Sequence, residues 1–124
     1  MYKNNIKIWN REFELEVIFS GYPEEQITDE QKNSYEKLLG SAEEIEKSLS
    51  YVKKYVCEKS NNSIVETDVD NIFKYVMPRY IYVSKTKRQC VAIMCDYRFD
   101  IENGIAVVFV DGKYKDIGSQ DIVL

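Results

Sequence analysis

Histidine is absent from this sequence of 124 residues, which removes the side chain that most often serves as a general base near neutral pH. The usual Cys-His and Ser-His-Asp sets of nucleophilic enzymes are therefore excluded, and so are the usual zinc sites. We accordingly expect no catalytic set, no metal ion and no cofactor, and we favour a function that is not enzymatic.

Cysteine is scarce as well: the chain has Cys57, Cys90 and Cys95, an odd number with no Cys-x-x-Cys spacing. Cys90 and Cys95 are five positions apart, so on one strand they would point to opposite faces of a sheet. This pattern predicts reduced and mostly buried thiols in a cytoplasmic protein.

Long apolar runs and basic clusters are missing too. The first twelve residues, MYKNNIKIWNRE, have no apolar core of a signal peptide, and no stretch approaches the length of a membrane span. The net charge is −4, from 17 basic and 21 acidic residues. A nucleic acid or an anionic membrane would need clustered Lys and Arg, so we expect neither as a partner, whereas a basic protein would suit this charge.

The remaining composition is that of an ordinary globular chain, with 44% hydrophobic and 31% charged residues. Its length predicts a single domain over residues 1–124 that can bury a sizeable core. Ten tyrosines are many for this length, and tyrosine suits both half-buried strands and contact surfaces.

The first part of the chain predicts a β-hairpin. Apolar and charged residues alternate there with a period of two, which puts the apolar set on one face of two strands. That apolar set is Ile6, Ile8, Phe13, Leu15, Val17 and Phe19. Asn10-Arg11 is short enough to be the connection, although it has no glycine. Gly21-Tyr22-Pro23 would end the second strand.

The middle of the chain predicts helices over about residues 29–39 and 42–58. Thr28 with Gln31 has the spacing of a capping box, and Gly40 can cap the first helix. One continuous helix kinked at Gly40-Ser41 is the alternative. The helical stripe consists of Tyr35, Leu38, Ala42, Ile45, Leu49, Val52 and Val56. Packing of this stripe against a sheet is favoured, and a seam between two copies of the chain is the other possibility.

The last part predicts three or four strands. A short third helix would run from Asp68 through Tyr75 and stop at Pro78. Strands are expected over residues 80–84, 89–96, 104–110 and 113–117, with Asp111-Gly112 as a type I′ turn. The predicted fold class is therefore α+β: an antiparallel sheet, made of the N-terminal hairpin and the C-terminal strands, covered by two or three helices.

An acidic turn is the first candidate site. Asp96, Asp100 and Glu102 could bind a hard cation, and Asp100 or Glu102 could face Asp121 as a carboxylate pair for acid-base work. The alternative, which we prefer, is that acidic residues stabilise turns through their own hydrogen bonds and that Asp121 anchors the end of the chain.

A surface that combines tyrosines and acids is the second candidate, because aromatic residues are frequent anchors of interfaces. It would include Tyr22, Glu24, Glu25 and Tyr97. Ordinary solvent-exposed surface is an equally good interpretation of these four residues.

The segment FDIENGIAVVFVDGKYKDIGSQD, which ends at Asp121, resembles a family of small bacterial domains of unknown function. In those domains an aspartate-rich turn precedes Glu-x-Gly-Ile-Ala, a hydrophobic strand and a final Gln-Asp. The specific pieces here are residues 102–106 and Gln120-Asp121. Such families often have a histidine before the glycine, where this chain has Asn103. Some similar acidic proteins act as immunity proteins beside toxins, and the resemblance implies the same function here.

The sequence thus leads to three functional hypotheses. The favoured one is a cytoplasmic protein-binding domain, an immunity protein that masks a basic toxin as a monomer or homodimer. The residues assigned to its binding surface are Tyr22, Glu24, Glu25, Tyr97, Asp100, Glu102 and Asp121. The alternative is a small cation-binding or hydrolytic domain that uses Asp100, Glu102 and Asp121. The third is a structural homodimer joined through the helical stripe.

Overall fold

The computed structural model describes residues 2–20, 28–59, 71–84 and 90–123. Within these ranges the chain forms one six-stranded sheet whose strands lie in sequence order. The strands are β1 (Tyr2–Ile8), β2 (Arg11–Phe19), β3 (Val76–Val83), β4 (Cys90–Tyr97), β5 (Ile105–Val110) and β6 (Lys113–Gly118). The helices are α1 (Asp29–Leu39) and α2 (Ala42–Lys59), and short 3-10 turns lie at Ile72–Lys74 and Gln120–Ile122. The predicted α+β class is confirmed.

Neighbouring strands are antiparallel with one exception, the pairing of β2 with β3, which is parallel. A parallel pair needs a long crossover connection, and the chain between β2 and β3 contains both α-helices. The strands before and after the helices therefore join in a single sheet.

The first hairpin turns one residue earlier than the sequence predicted. Ile8 pairs with Arg11, so the two-residue turn is Trp9-Asn10, with positive φ angles of 51° and 65°. Helix α2 holds this turn: the Trp9 indole donates to the Ser48 hydroxyl at 3.1 Å, and the Asn10 amide donates to Glu46 at 2.6 Å. A tryptophan occupies this backbone conformation because these contacts to α2 fix it.

The two predicted helices and the break between them are confirmed. Thr28 and Gln31 form a complete capping box at the start of α1, and Gly40 caps its end. The Ser41 hydroxyl donates to the Lys37 carbonyl at 2.7 Å, which adds a side-chain bond at the break.

The predicted third helix and its stop at Pro78 are wrong within the described residues. Asp68 lies outside those residues, and Ile72–Lys74 forms only a single 3-10 turn, which the Asn71 side chain caps. Pro78 lies inside β3, next to a register shift at Tyr80. The parallel pairing with β2 begins at Tyr80, so at Pro78 only β4 lies beside β3, and a residue without an N–H is tolerated there.

The helical stripe packs against one face of the sheet, which is the use that the sequence favoured. Leu38, Ile45, Val52 and Val56 are at most 1% exposed within a single chain. They are therefore core residues and are not available on the surface to form a seam between two copies.

Strand β4 is buried on both faces. Cys95 belongs to the core under the helices, whereas Cys90 belongs to a second cluster on the opposite face of the sheet. The predicted orientation of the two thiols is thus confirmed.

Candidate functional site

The connection between β4 and β5, the 98–103 loop, displays apolar side chains to solvent. Ile101 is 82% exposed and Phe99 is 50% exposed, the largest values among the large hydrophobic residues of the described chain. The loop is anchored at its base, where the Arg98 amide donates to the Tyr75 carbonyl at 2.8 Å and the rings of Tyr75 and Phe99 stack at 5.6 Å. Ile101 therefore projects from a fixed base.

A pocket of about 560 Å³ lies on one side of this loop. The end of α2, the loop and the segment after β6 line it together. The lining residues are Tyr55, Lys59, Tyr97, Phe99, Asp100, Asn103, Ile117, Gly118, Ser119 and Ile122. We call this depression the tyrosine pocket. Its size is within the range of sites that hold a small molecule or a side chain of another protein.

Asp100 carries the negative charge of the tyrosine pocket. The Asn103 side-chain amide donates to both of its carboxylate oxygens, at 3.2 and 3.1 Å. The Gly104 amide donates to its backbone carbonyl at 2.9 Å, which closes the loop. Because Asn103 is neutral, these bonds orient the carboxylate without neutralising its charge.

Tyr97 forms part of the pocket wall, yet its side chain is only 3% exposed. Its hydroxyl is buried and has no hydrogen-bond partner among the described residues. Burial, together with the neighbouring Tyr55, Asp100 and Cys57, raises the pKa of Tyr97 to about 12. The phenol therefore stays protonated at neutral pH, and the buried, unsatisfied hydroxyl costs about 1–3 kcal/mol.

Tyr55 faces Tyr97 from the end of α2, with 6.1 Å between the ring centroids. Its pKa is also raised, first by burial and then by the Asp100 carboxylate. The Lys59 ammonium lies 5.5 Å from the centroid of the Tyr55 ring, a cation–π contact one helical turn further along α2.

A smaller groove of about 310 Å³ also borders the loop. It is lined by Phe73, Lys74, Tyr75, Met77, Asp96, Tyr97, Arg98 and Ile101. Asp96 at its edge forms an ion pair with Arg79 at 2.5 Å. The exposed loop is thus bordered by depressions that both contain aromatic side chains.

The two specific pieces of the sequence motif meet beneath the loop. Gly104 has a φ of +59°, and a Cβ there would lie 2.6 Å from the Cys95 carbonyl oxygen and from Gln120 Nε2. The Gln120 side chain donates to that same carbonyl at 3.0 Å, and its backbone amide donates to the Asn103 carbonyl at 3.0 Å. Glycine and glutamine therefore have a structural purpose here: they fix the loop to the end of the chain.

The structure brings together only some of the predicted site residues. Tyr97 and Asp100 both line the tyrosine pocket, whereas Glu102 and Asp121 are exposed and do not line it. The prediction that Tyr97 is a surface residue is wrong, because the loop and the end of α2 cover it. Tyr22, Glu24 and Glu25 lie outside the described residues.

The proposed carboxylate site of Asp100, Glu102 and Asp121 stays a prediction. Asp121 accepts a hydrogen bond from the Ser119 hydroxyl, so its carboxylate is used within the terminal 3-10 turn. In the described ranges, no group of three or more His, Cys, Asp or Glu side chains is placed so that it could hold a metal ion. Neither of the described helices combines the length and apolar character needed to cross a membrane.

Sequence reasoning missed Tyr55, Lys59 and Phe99. A signal for the first two was present, because Tyr55 and Lys59 are four residues apart and flank Val56, the last residue of the helical stripe. Nothing in the sequence placed them beside the 98–103 loop, which is about forty positions away and meets α2 only through tertiary packing.

Comparison with protein families gives one result that covers almost the whole chain. The family described as "Domain of unknown function (DUF6985)" matches residues 2–124. Neither the curated proteins nor the solved structures contain a match to this sequence.

Proposed function

We propose that this chain, which belongs to the DUF6985 family of domains of unknown function, is a protein-binding domain whose partner is a basic protein. The observation that carries the proposal is the 98–103 loop, in which exposed Phe99 and Ile101 alternate with Asp100 and Glu102. Apolar anchors surrounded by charge are the usual composition of a protein interface.

The apolar part of this surface supplies the affinity. Single exposed hydrophobic residues are common and need no explanation, but here they form a cluster. Phe99 stacks on Tyr75, and Ile101 borders a groove that also contains Phe73 and Met77. Aromatic and aliphatic side chains that fill pockets at the centre of an interface contribute most of the binding energy.

The acidic part supplies selectivity for a basic partner. The chain carries a net charge of −4, which includes the carboxylates of Asp100 and Glu102 beside the apolar tips of the loop and the guanidinium of Arg98 at its start. Charges of opposite sign on two proteins speed their encounter and disfavour wrong partners. Their effect on affinity is smaller.

In its finer form the proposal gives the chain an immunity function, in which it masks a basic toxin in the cytoplasm. The support is the loop, with its aromatic and acidic side chains, and the resemblance of residues 102–106 and Gln120-Asp121 to small domains of unknown function, because some similar acidic proteins act as immunity proteins.

The test is affinity capture from the native host with purified full-length chain as bait. The test variant is Phe99→Ser/Ile101→Ser. Ile18→Ser/Leu39→Ser is the matched control, because it removes the same number of exposed large apolar side chains elsewhere. We expect the wild type and the control to retain a basic protein, and the test variant to retain about tenfold less or none.

Thermal unfolding of each bait establishes that all variants are folded before capture. If no bait retains a basic protein in stoichiometric amount, the proposal is wrong. If the test variant and the wild type retain equal amounts of the basic protein, the loop is not part of the interface. Co-expression with the captured protein, followed by growth measurement, then tests the immunity function.

A further inference from the structure

The tyrosine pocket has aromatic walls that attract cations. Tyr55 and Phe99 both line it. The Lys59 ammonium already lies 5.5 Å from the Tyr55 centroid, so a cation of the chain itself uses this ring. Aromatic faces hold Arg and Lys by cation–π attraction, which strengthens where solvent is excluded.

The same pocket has a carboxylate whose charge is not neutralised. The described residues form three ion pairs, Lys37–Asp111, Lys47–Glu43 and Arg79–Asp96. Asp100 belongs to none of them, and its oxygens accept hydrogen bonds from the uncharged amide of Asn103. Asp100 lines the same pocket as Tyr55 and Tyr97, whose pKa values are raised mainly by burial and further by its carboxylate.

From this arrangement we infer that the tyrosine pocket receives an arginine side chain of the basic partner, which pairs with Asp100 and stacks on Tyr55 or Phe99. The inference rests on the proposed protein-binding function and specifies the chemistry of the partner at this position.

Arginine fits the pocket better than lysine for two reasons. Its planar guanidinium stacks on aromatic rings and is more weakly hydrated than an ammonium group. It can also donate two hydrogen bonds to the two oxygens of one carboxylate. These charge-assisted bonds replace the bonds to water that the guanidinium loses when it enters the pocket. The negative net charge of the chain adds a favourable long-range field.

Lys59 is the competitor of the incoming arginine within the chain. It lines the same pocket and occupies the face of Tyr55. When an arginine enters, the Lys59 ammonium either moves out of the pocket or stays there and repels it. Both outcomes weaken the binding of the arginine. Replacement of Lys59 by a neutral residue is therefore expected to strengthen the binding of arginine.

The experiment titrates isotope-labelled full-length chain with N-acetyl-arginine amide and follows backbone and aromatic NMR resonances. N-acetyl-citrulline amide is the matched control ligand, because it has nearly the same shape without the charge. We expect the arginine probe to bind in the millimolar range, and to shift the resonances of Tyr55, Phe99 and Asp100. The citrulline probe is expected to leave those resonances unchanged.

Two variants sharpen this titration. Asp100→Asn keeps an oxygen that accepts from Asn103 but removes the charge, and it is expected to weaken the arginine probe at least about fivefold. Lys59→Gln removes the competing cation, and it is expected to strengthen the binding of the arginine probe about threefold. The NMR spectra themselves establish that both variants are folded.

The inference is overturned if citrulline binds as well as arginine, if Asp100→Asn has no effect, or if the shifts lie away from the pocket. Its failure is distinguishable from that of the proposed function. Loss of partner capture in Phe99→Ser/Ile101→Ser together with no response to the arginine probe would reject only the arginine site. A response to the probe without any captured partner would reject only the protein-binding function.

Discussion

Asp111-Gly112 joins β5 to β6 in two residues, whereas the connection from β4 to β5 consists of the 98–103 loop and Gly104. The short turn has positive φ angles at both positions. Lys37 forms an ion pair with Asp111, so the charge of the Asp111 carboxylate is neutralised within the chain. The long loop leaves Phe99 and Ile101 exposed and leaves Asp100 without an ion pair among the described residues.

The comparison shows that the long loop contains more residues than the connection of two neighbouring strands requires. Two residues are enough to connect neighbouring antiparallel strands, as the shorter turn shows. The longer loop exposes apolar surface to water, which is unfavourable for an isolated domain. We therefore assign the exposed tip of the longer loop to binding, and the base of that loop at Gly104 together with the shorter turn to stability. Substitutions in and around both connections can test that assignment.

The largest effect is expected for Gly104→Ala, at the end of the long loop. The added Cβ would lie 2.6 Å from the Cys95 carbonyl oxygen, at a φ that alanine adopts with strain. We expect the free energy of unfolding, from urea denaturation, to fall by about 3 kcal/mol.

Gly40→Ala is the control for that change. Gly40 has an ordinary helical φ of −78°, and a methyl group added there would have no neighbour closer than 3.6 Å. Its unfolding free energy should stay the same or rise slightly. A similar loss of stability in both variants would mean that the tight packing of Gly104 against Gln120 is not what fixes the loop.

The next effect depends on pH. Burial raises the pKa of Tyr97 and of Tyr114 to about 12, from an ordinary value of 10.0. The unfolded chain therefore loses these protons first as pH rises. The stability that the two tyrosines contribute is present below pH 10 and is lost as pH approaches 12.

Urea midpoints measured between pH 9 and pH 12 check this window, and Tyr97→Phe or Tyr114→Phe should make the decline shallower. Identical pH profiles for the wild type and both variants would contradict the assigned burial of the two phenols.

A smaller effect, of opposite sign, is expected for Tyr97→Phe at pH 7. The substitution removes a buried hydroxyl that has no partner among the described residues, and it keeps the ring. We expect stabilisation by about 1 kcal/mol in urea denaturation. Tyr51→Phe, on a ring that is 48% exposed, is the control and should change nothing. Destabilisation by Tyr97→Phe would mean that the hydroxyl is bonded in solution.

The smallest effects on stability are expected at the tips of the two connections. Ile101→Ser alters a side chain that is 82% exposed, so the unfolding free energy should change by less than about 0.5 kcal/mol. Asp111→Asn keeps a residue that tolerates positive φ and removes only an exposed ion pair, so its urea midpoint should scarcely move. Partner capture should fall for Ile101→Ser alone, and an equal fall for Asp111→Asn would erase the distinction between the two connections.

The sequence predicted those elements whose signals are local. Thr28 with Gln31 predicted the start of α1, and Asp111-Gly112 predicted the turn between β5 and β6. Each pattern meets the needs of the backbone, a helix cap or a tight turn, within about four residues. The nearly continuous apolar run of β4 is likewise a local signal, typical of a strand that is buried on both faces.

The features that the sequence did not predict depend on distant contacts. The turn at Trp9-Asn10 is fixed by α2, and the strand through Pro78 depends on where β2 stops pairing with β3. The tyrosine pocket likewise combines Tyr55 from α2 with the 98–103 loop. Such juxtapositions arise from tertiary packing, which has no signature within a short window of sequence.

The central claim is that the 98–103 loop forms the binding surface of this domain, and hydrogen exchange of the chain with and without its captured partner tests it most directly. We predict that amides of residues 97–103 and of the end of α2 near Tyr55 become protected in the complex. Protection confined to the Asp111-Gly112 turn or to the β1–β2 hairpin, with unchanged exchange in the loop, would contradict the account.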